Sequence, residues 1–158
     1  MSDQPTFLTP NALQKLEEEL EHLKTTGRHE IEERIAEARS HGDLRENADY
    51  DAAKHDQGLM EARIRKLEHL VHTAEVREVE DTGKVEVGSV VSVIDHDGDE
   101  MEYFVAPQEN KVSGLLLASP SSPLGGALIG AEVGDEVTYA APAGEMTVKV
   151  LAVRPYDG

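Results

Sequence analysis

The chain has 158 residues, of which 32 are acidic and 15 basic, for a formal charge of −17. Backbone affinity for nucleic acid comes mainly from Lys and Arg displacing counterions, so a free DNA- or RNA-binder is excluded unless a partner presents the strand or a local basic patch meets it. There is no cysteine, which excludes disulfides, thiolate metal sites and cysteine nucleophiles and fits a reducing compartment.

The start, Met1 to Pro10, has neither the basic region nor the apolar core of a signal peptide. Thr9-Pro10 then reads as a helix N-cap with proline at the first helical position, where its missing N–H costs nothing. From there to His41, Leu13, Leu16, Leu20, Leu23, Gly27, Ile31, Arg34 or Ile35, and Ala38 recur at steps of three and four. That spacing is a coiled-coil seam. Thr25-Thr26-Gly27 is a poor helical stretch on it, so a local weakness or kink is expected there.

A second seam follows through Ala53, Gln57, Met60, Ile64, Leu67, Val71 and Ala74. The connection between the two, Gly42-Asp43-Leu44-Arg45-Glu46-Asn47, is short enough to force an antiparallel return. Past Thr82 the periodicity changes to short runs rich in Val, Leu and Tyr: 85–94, 100–105, 114–118, 136–140 and 145–153. Turn formers separate them, and Ser122-Pro123 opens one short helix to Ile129. The expected fold is α+β. An antiparallel coiled-coil hairpin occupies 1–80, a linker 81–84, and a small antiparallel β-sheet domain with one short helix 85–158. No apolar run approaches the roughly 20 residues that a membrane-spanning helix needs.

The hairpin turn is the most informative place. Asp43-x-x-Glu46 reads as a capping box, with each carboxylate also favoured by the positive end of the helix dipole. The pattern alone favours that cap; the functional reading is two hard oxygen donors at the end of a rod. Mg²⁺ wants six oxygens, so such a site is incomplete alone and makes sense as a part donated to another protein's cleft.

Residues 36–50, Ala-Glu-Ala-Arg-Ser-His-Gly-Asp-Leu-Arg-Glu-Asn-Ala-Asp-Tyr, closely resemble the tip signature of the GreA/GreB family of bacterial transcript-cleavage factors. Leu8-Thr9-Pro10, Ala52-Ala53-Lys54 with Gln57, Ser122-Pro123-Leu124-Gly125, Gly130 and Gly134-Asp135 are similar to that family as well. The resemblance covers nearly the whole chain.

It implies a second domain shaped like an FKBP-type prolyl isomerase without that activity. It implies a monomer that is no enzyme alone but enters the secondary channel of a backtracked RNA polymerase in the bacterial cytoplasm. Asp43 and Glu46 match the tip acids that help hold a catalytic Mg²⁺ jointly with the polymerase, none being expected on the free protein. The polymerase then cleaves its own nascent RNA. Arg39 and Lys54 match the family's basic patch on the RNA 3′ segment, and Asn47 and Tyr50 match tip positions. Tyr50 either stacks on a base or braces the turn. Ser122, Pro123 and Leu124 match the loop that grips the polymerase at the channel mouth.

Other constellations fall away on inspection. Asp95-His96-Asp97-Gly98-Asp99 opens like a calcium loop, but its glycine is misplaced and no Glu follows at position twelve, so a hairpin turn is expected. His69 and His72, with Glu68 and Glu75, lack a third convergent ligand. Two alternatives stay open: a channel-binding inhibitor that does not stimulate cleavage, and a prolyl isomerase built on the second domain. The scarcity of rings argues against the isomerase.

Overall fold

The computed structural model describes residues 5–41, 44–77 and 79–156, with the side chains of 41–47 outside that description. The chain forms two compact units. One is Leu13–Thr73; the other begins at Ala74 and also takes in the segment up to Ala12.

In the helical unit, α1 (Pro10–His22) runs through a π-helical turn (Leu23–Gly27) into α2 (Arg28–His41), and α3 (Leu44–Thr73) returns. The Thr9 hydroxyl accepts from the Ala12 N–H at 3.1 Å, as expected for the cap. Arg28 pairs with Glu61, Arg34 with Asp56, and Arg39 meets Tyr50. As the first number climbs the second falls, so α2 and α3 are antiparallel. The seam buries Leu16, Ile31 and Ala38 on one side and Ala53, Ile64, Leu67 and Leu70 on the other. Arg63 holds the Glu19 carboxyl below its usual range by hydrogen bonding, and Arg28 does the same for Glu61.

The expected weak point is the π turn, and its position has a geometric reason. A strict heptad from Leu16 puts later core positions at 23, 30 and 37, yet the buried residues are Ile31 and Ala38. The seam therefore gains one residue between Leu16 and Ile31. A π turn, with its i→i+5 bonding, absorbs an insertion of that size without ending the helix. The Thr25 hydroxyl bonds back to the Glu21 carbonyl at 2.7 Å, a contact that loosens a helix ladder. A Cβ on Gly27 would stand 3.1 Å from the Met60 sulfur.

The second unit is a five-stranded sheet in the order β3-β2-β1-β5-β4. Its strands are β1 (Ser89–Asp95), β2 (Glu100–Val105), β3 (Leu116–Ala118), β4 (Glu136–Ala141) and β5 (Gly144–Pro155), with α4 at Pro123–Leu128. Two features correct the expectations. The sheet is mixed, because β3 lies parallel to β2. Val85 is not in β1; its N–H bonds the Ala131 carbonyl, and a turn closed by Ser89 N–H on Glu86 O precedes the strand. The Asp95–Asp99 segment is the expected hairpin turn. One Asp95 carboxylate oxygen accepts from the N–H groups of Asp97 and Asp99, each at 2.9 Å.

β1 is central and buried on both faces. Val91 and Val93 face α4 with Val105, Leu128, Val148 and Val150, while Val90 and Phe104 face a second cluster completed by Phe7. Phe104 stacks on Tyr156 with ring centroids 4.4 Å apart.

Phe7 explains why the unit boundary differs from the expected 80/81. Residues 6–8 pair with Glu75 through Leu8 N–H on Glu75 O and Glu75 N–H on Thr6 O. Asn110, fully buried, then pins the segment: its Oδ1 accepts from Thr9 N–H at 2.8 Å, and its Nδ2 donates to Phe7 O at 2.9 Å. Replacing Asn110 by Ala strands both backbone groups in an apolar site. The expected loss is about 2–4 kcal/mol in urea unfolding of the full chain; a loss within experimental error would show that the pin is dispensable.

Candidate functional site

α2 and α3 carry the predicted tip residues at their adjoining ends. Asp43 lies outside the described residues. The backbones of Glu46 and Asn47 belong to α3, but their side chains also fall outside the description. The structure therefore does not test the two carboxylates.

Behind the tip, Arg39 and Tyr50 meet across the two helices. The Arg39 guanidinium on α2 donates to the Tyr50 hydroxyl at 3.3 Å and stands 5.4 Å from the centre of its ring. Lys54 lies one helical turn beyond Tyr50 on α3 and donates to Gln57 Oε1 at 2.8 Å. Arg39, chiefly through its hydrogen bond and then its charge, pulls the Tyr50 phenol below its usual titration range. Lys54 adds a smaller pull, while burial and Asp51 oppose both. Tyr50 is the only aromatic residue between Phe7 and Tyr103. Here it holds Arg39 in place and leaves one cation on each helix beside it. Arg39→Gln should move the Tyr50 titration upward in NMR-monitored pH titration; an unmoved midpoint would refute the coupling.

Beside this cluster a groove of about 250 Å³ is lined by Arg34, Glu37, Ala38, Asp49 and Ala52. Arg34 is tied to Asp56 at 3.1 Å. Among the described residues, no three His, Asp or Glu side chains converge to hold a metal. Two carboxylates are oxygen donors of the kind that Mg²⁺ takes.

In the sheet unit, Ser122 caps α4 as its sequence suggests. Its hydroxyl accepts from Gly125 N–H at 3.1 Å and donates to Ser119 O at 2.6 Å. Pro123 is exposed at the first turn. Leu124 is half-buried against the core, so it both anchors the loop and borders its surface. A separate depression is walled by Phe7, Val79 and Tyr156 with Arg77 and Arg154 at its edge. Both arginines already pair with carboxylates, Arg77 with Glu75 and Glu86, Arg154 with Glu102. It does not read as an anion site.

Two features escape the sequence. Asn110 acts on partners about a hundred residues away, and nothing in Pro107-Gln-Glu-Asn110 signals more than a turn. Met101, Tyr103, Tyr139 and Met146 border one cleft although they come from three strands.

Family models cover nearly the whole chain. "Transcription elongation factor, N-terminal" matches residues 6–76, and "Transcription elongation factor, GreA/GreB, C-term" matches 80–155. The Transcription elongation factor GreA of Streptomyces coelicolor is 42 % identical over 161 residues, covering 99 % of this chain and 98 % of the relative. That of Thermoanaerobacter pseudethanolicus is 42 % identical over 159 residues, covering 95 % and 98 %. Among solved structures, the GreA factor homolog 1 (Gfh1) protein of Thermus thermophilus is 28 % identical, covering 96 % of this chain and 99 % of that one at a TM-score of 0.45.

Proposed function

This chain belongs to the GreA/GreB family of transcription elongation factors, and we propose that it stimulates a backtracked RNA polymerase to cleave its own nascent RNA. The observation that carries this reading is the pairing of Arg39 with Tyr50, with Lys54 one turn further along α3, one to two helical turns behind the tip that bears Asp43 and Glu46. A cation on each helix beside a ring offers an RNA 3′ segment phosphate contacts and a stacking surface. This local patch answers the repulsion expected from the rest of the chain's charge.

Asp43 and Glu46 are the residues that would hold Mg²⁺, jointly with carboxylates of the polymerase. That ion supplies positive charge for the scissile phosphodiester and activates water for attack. The chain's part is to orient: the α2–α3 hairpin carries the two carboxylates, and Arg39 and Lys54 hold the RNA end. The nuclease centre belongs to the polymerase, so this protein is not an enzyme by itself. Residues 122–124 provide a second anchor, and two linked anchors raise overall affinity through effective concentration.

The test is a polymerase stalled by backtracking, supplied with the chain and Mg²⁺. Release of short 3′ RNA fragments supports the proposal. Slowed nucleotide addition without fragments would instead point to a channel-binding inhibitor, which the intact Asp-x-x-Glu at 43–46 disfavours.

A further inference from the structure

Within the helical unit the buried seam is interrupted. Among the described residues, none from 17 to 30 and none from 54 to 63 is buried. The two gaps overlap where Arg28 meets Glu61. Burial resumes on either side, at Ile31, Ala38 and Ala53 toward the tip and at Leu16, Ile64 and Leu67 away from it.

What spans the overlap is charge. Arg28 forks onto Glu61 at 2.9 and 3.0 Å, and Arg63 forks onto Glu19 at 2.8 and 2.9 Å. Such partly exposed pairs contribute little stability. Their long side chains also follow a change in helix spacing that a packed core resists.

Each helix is weak at this level as well. On the outgoing side the π turn ends at Gly27, and the Thr25 hydroxyl competes for the Glu21 carbonyl. On the returning side Gly58 stands midway along α3, within one turn of Glu61. Nothing lies within 4 Å of the place its Cβ would take, so alanine fits there and would hold the helix better. Packing does not explain this glycine. Met60 abuts Gly27, its sulfur 3.1 Å from where a Cβ would stand, and a thioether repacks readily as spacing changes.

We propose that this level is a bending joint, about which the part packed on Ile31, Ala38 and Ala53 swings against the part packed on Leu16, Ile64 and Leu67. The joint is a property of the free chain. Its use rests on the functional reading above: a cation held by another protein fixes where Asp43 and Glu46 must arrive. A hairpin that bends brings them there after docking. Misplacement by about 1 Å slows a reaction roughly a hundredfold, so the freedom serves the chemistry.

Hydrogen exchange on the full-length chain reads the joint directly. Amides of 24–28 and 58–62 should exchange at least about tenfold faster than those of 34–38 and 66–70. Gly58→Ala should slow exchange at 58–62 about threefold. Deleting Thr26 brings Ile31 and Ala38 onto the strict heptad from Leu16, and should close the π turn without moving the seam. The chain with both changes should bind core RNA polymerase within about twofold of the parent but stimulate cleavage about tenfold less. Gly58→Ala alone, with an expected loss of about threefold, carries the test if the deletion does not fold. Adding Ala62→Gly to it, one turn along the same face, should restore fast exchange and cleavage together. Uniform exchange along both helices overturns the joint. Fast exchange at 24–28 and 58–62 with full cleavage by the stiffened chain overturns its use. If the parent itself stimulates no cleavage, the functional reading falls and the stated use with it, while exchange still decides the joint.

Discussion

Asp43→Asn and Glu46→Gln are each expected to lower stimulated RNA cleavage about a hundredfold or more, with binding to polymerase and unfolding temperature nearly unchanged. Both substitutions keep the size of the side chain and its ability to accept a hydrogen bond. What they remove is one negative charge aimed at a divalent cation. Every 1.36 kcal/mol of lost transition-state stabilisation costs a factor of ten, and removing one well-aimed group from a reacting centre costs about 3–4 kcal/mol. The competing explanation makes a different prediction. If the pair were only a capping box, both changes would keep the capping hydrogen bonds, because Asn caps about as well as Asp and Gln serves like Glu, and the cleavage rate of the folded protein would stay unchanged. The cleavage rate thus separates the two roles, and unchanged cleavage by both variants would sink the proposed assignment.

The sequence announces some of this architecture more clearly than the rest, and the difference follows from range. The hairpin is legible because a seam repeats every three or four residues and the connection is short. Caps are legible for the same reason: Thr9 reaches Ala12 and Ser122 reaches Gly125, each within three residues. The π turn was half visible. Thr25-Thr26-Gly27 marks the weak place, but only burial at Ile31 and Ala38 shows that one residue is being absorbed.

Long-range features were not legible. β3 has three residues and lies parallel to β2, and no local pattern distinguishes a parallel edge strand from an antiparallel one. The segment around Phe7 belongs with residues a hundred positions on, because Asn110 supplies both a donor and an acceptor to it. The cleft beside Leu124 is a remainder, the part of a sheet face that a short helix leaves open. Its lining residues read in the sequence as ordinary strand positions. Of the predicted site residues, Arg39, Tyr50 and Lys54 come together, and Ser122–Leu124 form the helix start that the motif suggests.

Gly125→Ala is expected to be the most damaging small substitution in the sheet unit, whereas Gly126→Ala next to it should be nearly silent. A Cβ on Gly125 would stand 1.9 Å from the Ser119 carbonyl oxygen and 2.6 Å from its carbon. Both are backbone atoms and cannot swing aside as a side-chain end can. The same carbonyl accepts from the Ser122 hydroxyl at 2.6 Å and the Ser122 N–H at 2.9 Å, so moving it undoes the turn that starts α4. Moving α4 instead pulls Leu128 out of the core beneath the sheet. Either route should cost about 3 kcal/mol or more, at the upper end of single-site effects. On Gly126 the nearest obstacle to a Cβ is Pro120 O at 3.3 Å; alanine's advantage of about 0.5–1 kcal/mol within a helix offsets that tightness. Tyr103, Tyr139 and Tyr156 belong to this unit and Tyr50 to the helical one, so resolved tyrosine signals can follow the two separately during unfolding. Gly125→Ala should melt the sheet-unit signals early and weaken polymerase binding through the loop at 122–124, with Tyr50 little changed. Equal stability for the two alanine variants would mean that the tight packing of α4 against Ser119 is not what holds that loop.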